Sequence, residues 1–287
     1  MTYDLAGRTV LVTGACGGLG VALAEALRAK GARLALVDLD ADHVTDRARR
    51  LGDQRAAAGW AADVRDLDRL IEVAASVRAH FGRFDVVVAA AGVLGPLTAL
   101  GTTREADWQR VVDVNLGGVW RTFKATAPHV TEVRGHMLAL SSMIGFIHPP
   151  LLGSYAASKA GVWALCDSLR LELRGSGVTV GSVHPIIFRT PMIGDALESP
   201  AASALVRDFT GVFAPVPLPT VVEAVVRGIE RRSAHVVTPR RVRPAARAAG
   251  LAQAALERIH FRPRAISEAV RLGSLPDQPR RDATTPS

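Results

Sequence analysis

Seven short runs dominated by Val, Leu and Ala alternate with longer amphipathic segments, and this alternation constrains the fold more than any other feature of the chain. The runs are RTVLVTG, ARLALVDLD, GWAADV, FDVVVAAAG, GHMLALSS, VTVGSVHP and HVVTP. Helix-length segments lie between them at 18–30, 41–51, 66–81, 103–127, 154–174 and 219–232. Strand and helix in regular alternation build crossover units and hence a parallel sheet. Runs that are almost continuously apolar belong to strands covered on both faces. The expectation is an α/β, doubly wound parallel sheet of about seven strands with helices on both faces.

All seven runs fall before residue 240, so we expect one domain over 1–240 and an Arg- and Ala-rich extension over 241–287, partly helical with a disordered end. The formal charge of +8 resides at that end: residues 227–287 hold 13 Arg against 5 acids, leaving 22 bases and 22 acids elsewhere. A nucleic-acid binder is expected to carry a basic stripe on its folded body, so no such partner is expected. The extension is read as solvated, packed across a neighbouring subunit, or in weak contact with an anionic membrane surface. Cys16 and Cys166 are too few for a disulfide framework or a CxxC zinc site and suit a reducing cytoplasm. The first residues, MTYDLAGRTVLVTG, lack the basic start of a signal peptide, and the longest apolar stretch, from Val86 to Leu100, is broken by Gly92, Gly95 and Pro96. A soluble protein without a metal site is expected.

TGACGGLG, Thr13 to Gly20, follows the first run and opens a helix. Gly14, Gly18 and Gly20 permit a tight turn and let backbone N–H groups approach a pyrophosphate, whose charge the helix N-terminus favours. Asp38, at the end of the second run, is placed to bind a ribose hydroxyl pair; its plainer reading is a solvated strand-end carboxylate beside Asp40 and Asp42. Neither Gly17 nor Leu39 is basic, so nothing greets a 2′-phosphate, and NAD is expected ahead of NADP. Cys16 reads first as a small filler and second as an oxidant-sensitive thiol lowered by the helix N-terminus. Cys166 reads as packing.

SYAASKAG, residues 154–161, holds one of two tyrosines and one of three lysines, four positions apart and therefore on one helical face. Alone, Tyr155 and Lys159 would be an ordinary surface pair. Together with Asn115 in VDVNLGG, Ser141 and Ser142 in ALSSMIG, and the glycine loop, their order and spacing over about residues 5–240 resemble the short-chain dehydrogenase/reductase family. The resemblance implies a Rossmann-type fold and hydride transfer between NAD(H) and an alcohol or ketone. It implies that Ser142, thirteen residues before Tyr155, binds the substrate oxygen, that Tyr155 is the general acid/base, and that Lys159 binds the nicotinamide ribose and tunes the phenol. Asn115 would hold a proton-relaying water; its other reading is an amide that interrupts its helix by bonding backbone. Cofactor contacts are implied at Gly14, Cys16, Gly17, Gly18, Leu19, Gly20, Asp38, Asp63, Val64, Ala91, Gly92, Tyr155, Lys159, Pro185 and Thr190, with Asp63 and Val64 on the adenine side and Thr190 at the nicotinamide end. A homodimer or homotetramer through 103–127 and 154–174 is the family expectation.

Physics supports the phenol's role independently. Bringing a phenol from about 10 to about 7 takes roughly 4 kcal/mol, and a positive charge about 4 Å away at an effective dielectric near 20 supplies about 4 kcal/mol. Lys159 is therefore expected to lower Tyr155 to the working range that acid–base catalysis asks for. Two departures from the family stand out. AAAG, Ala89 to Gly92, replaces the family's NNAG and is expected to affect stability rather than chemistry. Ile186 follows Pro185 where Gly is usual, so the loop beside the nicotinamide is expected to run differently.

The irregular segment 191–219 is the candidate substrate lid, with a core-packing insert as its alternative. Candidate pocket positions are Val93, Leu94, Met143 to Leu151, Phe188, Met192 and Ile193, nearly all apolar, with His148 and Arg189 the exceptions. Such a lining prefers a hydrophobic secondary alcohol or ketone, whether steroid-like, terpenoid, alicyclic or fatty. The rival readings are an inactive cofactor-bound scaffold or redox sensor, and an NADPH-dependent ketoreductase of carrier-bound acyl chains.

Overall fold

The computed structural model describes residues 2–188, 214–251 and 263–273. The strands are β1 (Thr9–Thr13), β2 (Arg33–Asp38), β3 (Ala57–Ala61), β4 (Val86–Ala89), β5 (His136–Leu140), β6 (Thr179–Pro185) and β7 (His235–Thr238). The helices are α1 (Gly18–Ala29), α2 (Ala41–Leu51), α3 (Leu67–Phe81), α4 (Glu105–Val112), α5 (Gly118–Glu132), α6 (Gly153–Glu172), α7 (Leu218–Glu230), α8 (Arg243–Arg247) and α9 (Pro263–Gly273). The strands form one seven-stranded sheet in the order β3-β2-β1-β4-β5-β6-β7, parallel throughout. The chain winds outward in one direction from β1 and in the other from β4. A crevice therefore opens at the carboxyl ends of these two neighbours, where such sheets bind ligands.

The two-residue period of a strand divides the core between the faces. Val10, Val12, Leu34, Leu36, Val86 and Val88 meet Leu23, Ala24 and Leu27 of α1, Val44 of α2 and Val221, Val225 and Ile229 of α7. Leu11, Ala35, Val37, Val87, Met137 and Ala139 meet Leu70, Val73 and Val77 of α3, Phe123 of α5 and Val162 and Cys166 of α6. Full burial of each Val or Leu contributes about 1.5–3 kcal/mol, and both sheet faces are dry. This is the doubly wound parallel sheet that the alternation implies.

Three segments differ from the sequence expectation. β3 begins two residues earlier than GWAADV, and a Cβ at Gly59 would lie 2.6 Å from the Val44 carbonyl oxygen, so α2 crosses this edge strand at backbone contact. Asp63 and Val64 consequently fall in the loop beyond it. The helix expected over 103–127 is broken by a π turn, Asp113–Gly117, and α5 then runs through Pro128 to Glu132. In its described parts the extension is not simply solvated, although Leu251 stays exposed. Val242 is fully buried, and Ala245, Ala246, Ala249 and Ile266 pack against the chain's own core.

Residues 191–213 of the expected lid, and 274–287 with their expected disorder, lie outside the described residues. Within 214–219, Val216 bridges Phe188 and Leu218 opens α7. Among the described residues no helix is long and apolar enough to cross a membrane, and no group of His, Cys, Asp or Glu could hold a metal ion.

Candidate functional site

β1 delivers Thr13 to the crevice, and the turn into α1 is built so that nothing fills it. Gly14 has φ +69, and a Cβ there would come within 2.8 Å of the Ala91 Cα. A Cβ at Gly20 would lie 2.1 Å from the Gly14 carbonyl oxygen, so α1 is pressed onto the turn. Gly17, the N-cap of α1, makes no side-chain cap, and the first turn, with Gly18 and Leu19, holds no acid. The orphan N–H groups of a helix start and its positive end are thus left without a competing side chain. Leu19 itself packs against the core.

Asp38 leans into the same turn. Its carboxylate accepts from the backbone N–H of Cys16 at 2.7 Å and of Leu39 at 2.8 Å, which fixes its orientation. The Cys16 thiol is pushed up to about 11 by burial and by the neighbouring Asp38 charge. This corrects the reading of Cys16 as an activated thiol: burial and a nearby carboxylate outweigh the helix terminus. Asp63 is held by Arg65, whose guanidinium donates to it at 2.9 and 2.6 Å and keeps its carboxyl below the ordinary range. The Val64 side chain packs on α5, where a Cβ at Gly118 would be 2.6 Å from its Cγ2.

Across the crevice, β4 ends in AAAG. The Thr13 hydroxyl accepts from the amides of Ala90 (3.0 Å) and Ala91 (3.2 Å), so a residue from β1 fixes this loop. Gly92 marks a close approach, since a Cβ there would lie 3.1 Å from Asn115 Oδ1 and 3.6 Å from Lys159 Nζ. Asn115 sits buried in the π turn. Its Oδ1 accepts from the Val93 N–H at 2.8 Å, while Nδ2 donates to the Val93 carbonyl at 2.9 Å and to Ser158 Oγ at 3.1 Å. The amide therefore bonds backbone and ties α4 and α5 to the β4 loop and to α6.

The two serines after β5 part company. Ser141 Oγ donates to the Lys159 carbonyl at 2.8 Å and anchors α6. Ser142 Oγ accepts from Ile144 N–H at 3.2 Å, and its hydroxyl lies close enough to the Tyr155 phenol to favour the ionised form. Lys159 Nζ donates to the Leu140 carbonyl at 2.7 Å and stands 5.6 Å from the centre of the Tyr155 ring. Burial pushes Tyr155 up to about 12, against the lowering by Ser142, and drives Lys159 down to about 8. Within the chain itself desolvation dominates and the ammonium donates to a carbonyl, so the expected lowering of the phenol by Lys159 depends on help from the nicotinamide charge of bound NAD.

Of the remaining expected positions, Pro185 closes β6, and Ile186 continues past it without left-handed backbone, donating to the Thr238 carbonyl at 2.9 Å. Phe188 bridges Val216 where a glycine turn would have bent away. Arg189, Thr190, Met192 and Ile193 lie outside the described residues. Met143, Phe146 and Ile147 are buried and belong to the main core cluster. Sequence reasoning missed Thr13 and Ser158, the latter donating to the Tyr155 carbonyl at 2.8 Å. Polar residues on inward faces were their available signal. It also missed His184, buried under Phe146 and bonded to Ser182 at 2.8 Å, where burial drives its pKa down to about 4.

Known proteins place this arrangement. The family profile described as short chain dehydrogenase matches residues 8–200. A D-threitol dehydrogenase from Mycolicibacterium smegmatis is 35% identical over 71% of this chain and 78% of its own length. A (-)-trans-carveol dehydrogenase from Rhodococcus erythropolis is 36% identical over 65% of this chain and 73% of its own. Among solved structures, a short chain dehydrogenase from Mycobacterium paratuberculosis bound to NAD superposes with a TM-score of 0.71 at 29% identity, covering 82% of this chain and 96% of that one. The chain therefore belongs to the short-chain dehydrogenase/reductase family of oxidoreductases.

Proposed function

We propose that the protein is an NAD(H)-dependent dehydrogenase or ketone reductase acting on a hydrophobic secondary alcohol or its ketone. The observation that carries the proposal is the Tyr155 ring with Lys159 Nζ 5.6 Å from its centre, close to Ser142 and at the same crevice as the glycine turn. The turn fits a dinucleotide: Cβ-free at Gly14 and Gly20, acid-free at the start of α1, and bounded by Asp38, whose charge disfavours a further phosphate on the ribose. That charge argues for NAD over NADP and against the carrier-bound ketoreductase. Names of relatives point the same way, since one neighbour is described as bound to NAD and two relatives as alcohol dehydrogenases.

When bound, NAD supplies the hydride acceptor and the positive charge of its nicotinamide ring. Ser142 orients the substrate hydroxyl, and Tyr155 takes its proton in oxidation or returns it in reduction. Burial holds the phenol at about 12, and the positive charges of Lys159 and of the nicotinamide ring act together to lower it. Lys159 and Gly92 hold the nicotinamide-ribose side, Asp38 the adenosine ribose, and the amides from Gly18 to Gly20 at the start of α1 the pyrophosphate. Asn115 holds the Val93 backbone and with it the wall opposite Ser142. Free Cys16 and Cys166 fit a cytoplasmic protein. Partly exposed Trp108, Trp120 and Leu171 on α4, α5 and α6 fit self-association through these helices.

The test is a panel of hydrophobic secondary alcohols assayed with NAD and with NADP by absorbance of the reduced cofactor. Turnover with NAD at least about tenfold above NADP is expected, the scale of roughly one charge contact. Turnover unchanged in Tyr155→Phe would overturn the assignment.

A further inference from the structure

The carboxyl-terminal helix is seated on the two loops that lead into the site. Leu97 and Ala99 follow Gly92 in the loop after β4, and Leu151 lies between Ser142 and Tyr155. Leu151 is 5% exposed, and it adopts φ +65, a left-handed conformation that a leucine holds only when its surroundings impose it. The residues packed around it are Leu97, Ala99, Val270 and Leu272. The last two belong to α9. One turn before Val270, Ile266 packs against the core cluster that includes Phe188 and Trp163, while Ser267, Glu268 and Arg271 face solvent, the latter two paired at 2.7 Å. The same loops also meet at Gly153, where a Cβ would lie 2.4 Å from the Leu100 side chain. α9 thus touches the loop after β4, the loop before α6 and the core.

We propose that α9 forms the outer wall of the substrate site, and that Val270 and Leu272, acting through Leu151, set the size of the alcohol the enzyme accepts. The idea rests on the dehydrogenase reading for its substrate, but the docking of α9 does not. A wall made of Val and Leu selects by volume and hydrophobicity rather than by hydrogen bonds, the regime in which one missing methylene changes kcat/KM by about 10-fold or more. The segment that sequence reading left as a basic extension thereby becomes a specificity element.

Two measurements test it in the full chain. Hydrogen exchange of residues 96–100 and 149–152 is compared between wild type and Val270→Asp/Leu272→Asp, which should undock the helix. Faster exchange there, with the sheet unchanged, is expected; unchanged exchange overturns the docking whether or not the protein turns over any alcohol. Val270→Ala/Leu272→Ala is then assayed with cyclohexanol and with the bulkier 2-decalol. The ratio of kcat/KM for the bulkier to the smaller alcohol should rise about 10-fold, with KM for NAD within twofold of wild type. A ratio that stays put while the exchange test succeeds overturns the specificity role. Absence of wild-type turnover with either alcohol counts against the dehydrogenase reading instead, and leaves the exchange result to decide where α9 sits.

Discussion

The two ends of the sheet bury charge in opposite ways. At the amino-terminal end, Asp85 is fully buried yet well supplied: Arg8 donates to it at 2.8 Å, the Thr9 N–H at 3.0 Å, and Arg83 at 2.6 Å. Burial alone would raise its pKa, but these partners win and hold the carboxyl below its ordinary range. At the carboxyl end, Tyr155, Lys159 and His184 are all pushed toward their neutral forms, because desolvation there is not matched by opposite charge. Apart from His136, which burial also drives to its neutral form, the amino-terminal end pairs its charge within the chain. The other carries groups whose ionised forms lack a partner within the chain, as sites awaiting a ligand do.

The sharpest way to break this contrast is Tyr155→Phe. Loss of a positioned acid/base should lower turnover by about 10³-fold, with NAD affinity retained by equilibrium dialysis; retained turnover would make the carboxyl end merely strained. Asp85→Ala should remove about 2–3 kcal/mol of stability in denaturant titration, after discounting for partly exposed arginines. In wild type this contribution is present above the unfolded carboxyl value and fades as pH falls through it, since the folded pKa is the lower one. A variant as stable as wild type would show that the ion pairs merely break even.

Lys159→Met should do the reverse of Asp85→Ala: activity falls while stability rises by about 1–2 kcal/mol, because an under-partnered buried charge is replaced by an apolar chain of similar length. The folded lysine titrates near 8 rather than at its ordinary 10.5, so wild type gains stability as pH rises from 8 toward 10 and the variant does not. A variant that is less stable than wild type would sink this half of the comparison.

A slope rather than an offset is expected at His136, fully buried at the amino-terminal end, bonded through Nδ1 to Thr179 and driven down to about 3 by burial and then by Arg232. A folded pKa below the unfolded one means that the unfolded chain takes up the proton first. Stability should therefore fall as pH drops from about 6.5, by up to roughly 1.4 kcal/mol per pH unit. His136→Asn should flatten that slope in Tm measurements between pH 6 and 4; an unaltered slope would assign it to His184 instead.

Much of this architecture is written locally. The apolar runs name the strands, and the glycine pattern names the turn before α1, because both signals depend on a few neighbouring residues. β3 was misplaced because an edge strand with half-exposed residues lacks a continuous apolar run. At Asn115 the sequence raises an amide that interrupts its helix by bonding backbone, but the backbone it bonds, at Val93, is 22 residues away and not legible locally. Choosing Ser142 over Ser141 rested on spacing; why they differ is visible only where α6 sits against β5, which engages Ser141 and leaves Ser142 facing Tyr155.

The sequence by itself determined the parallel sheet and the glycine turn that opens α1, since side-chain periodicity and glycine geometry are properties of short stretches. Only the tertiary structure decided the ionisation of Tyr155 and Lys159 and the place of the extension. Both depend on burial, and burial is set by which distant segments close over a residue.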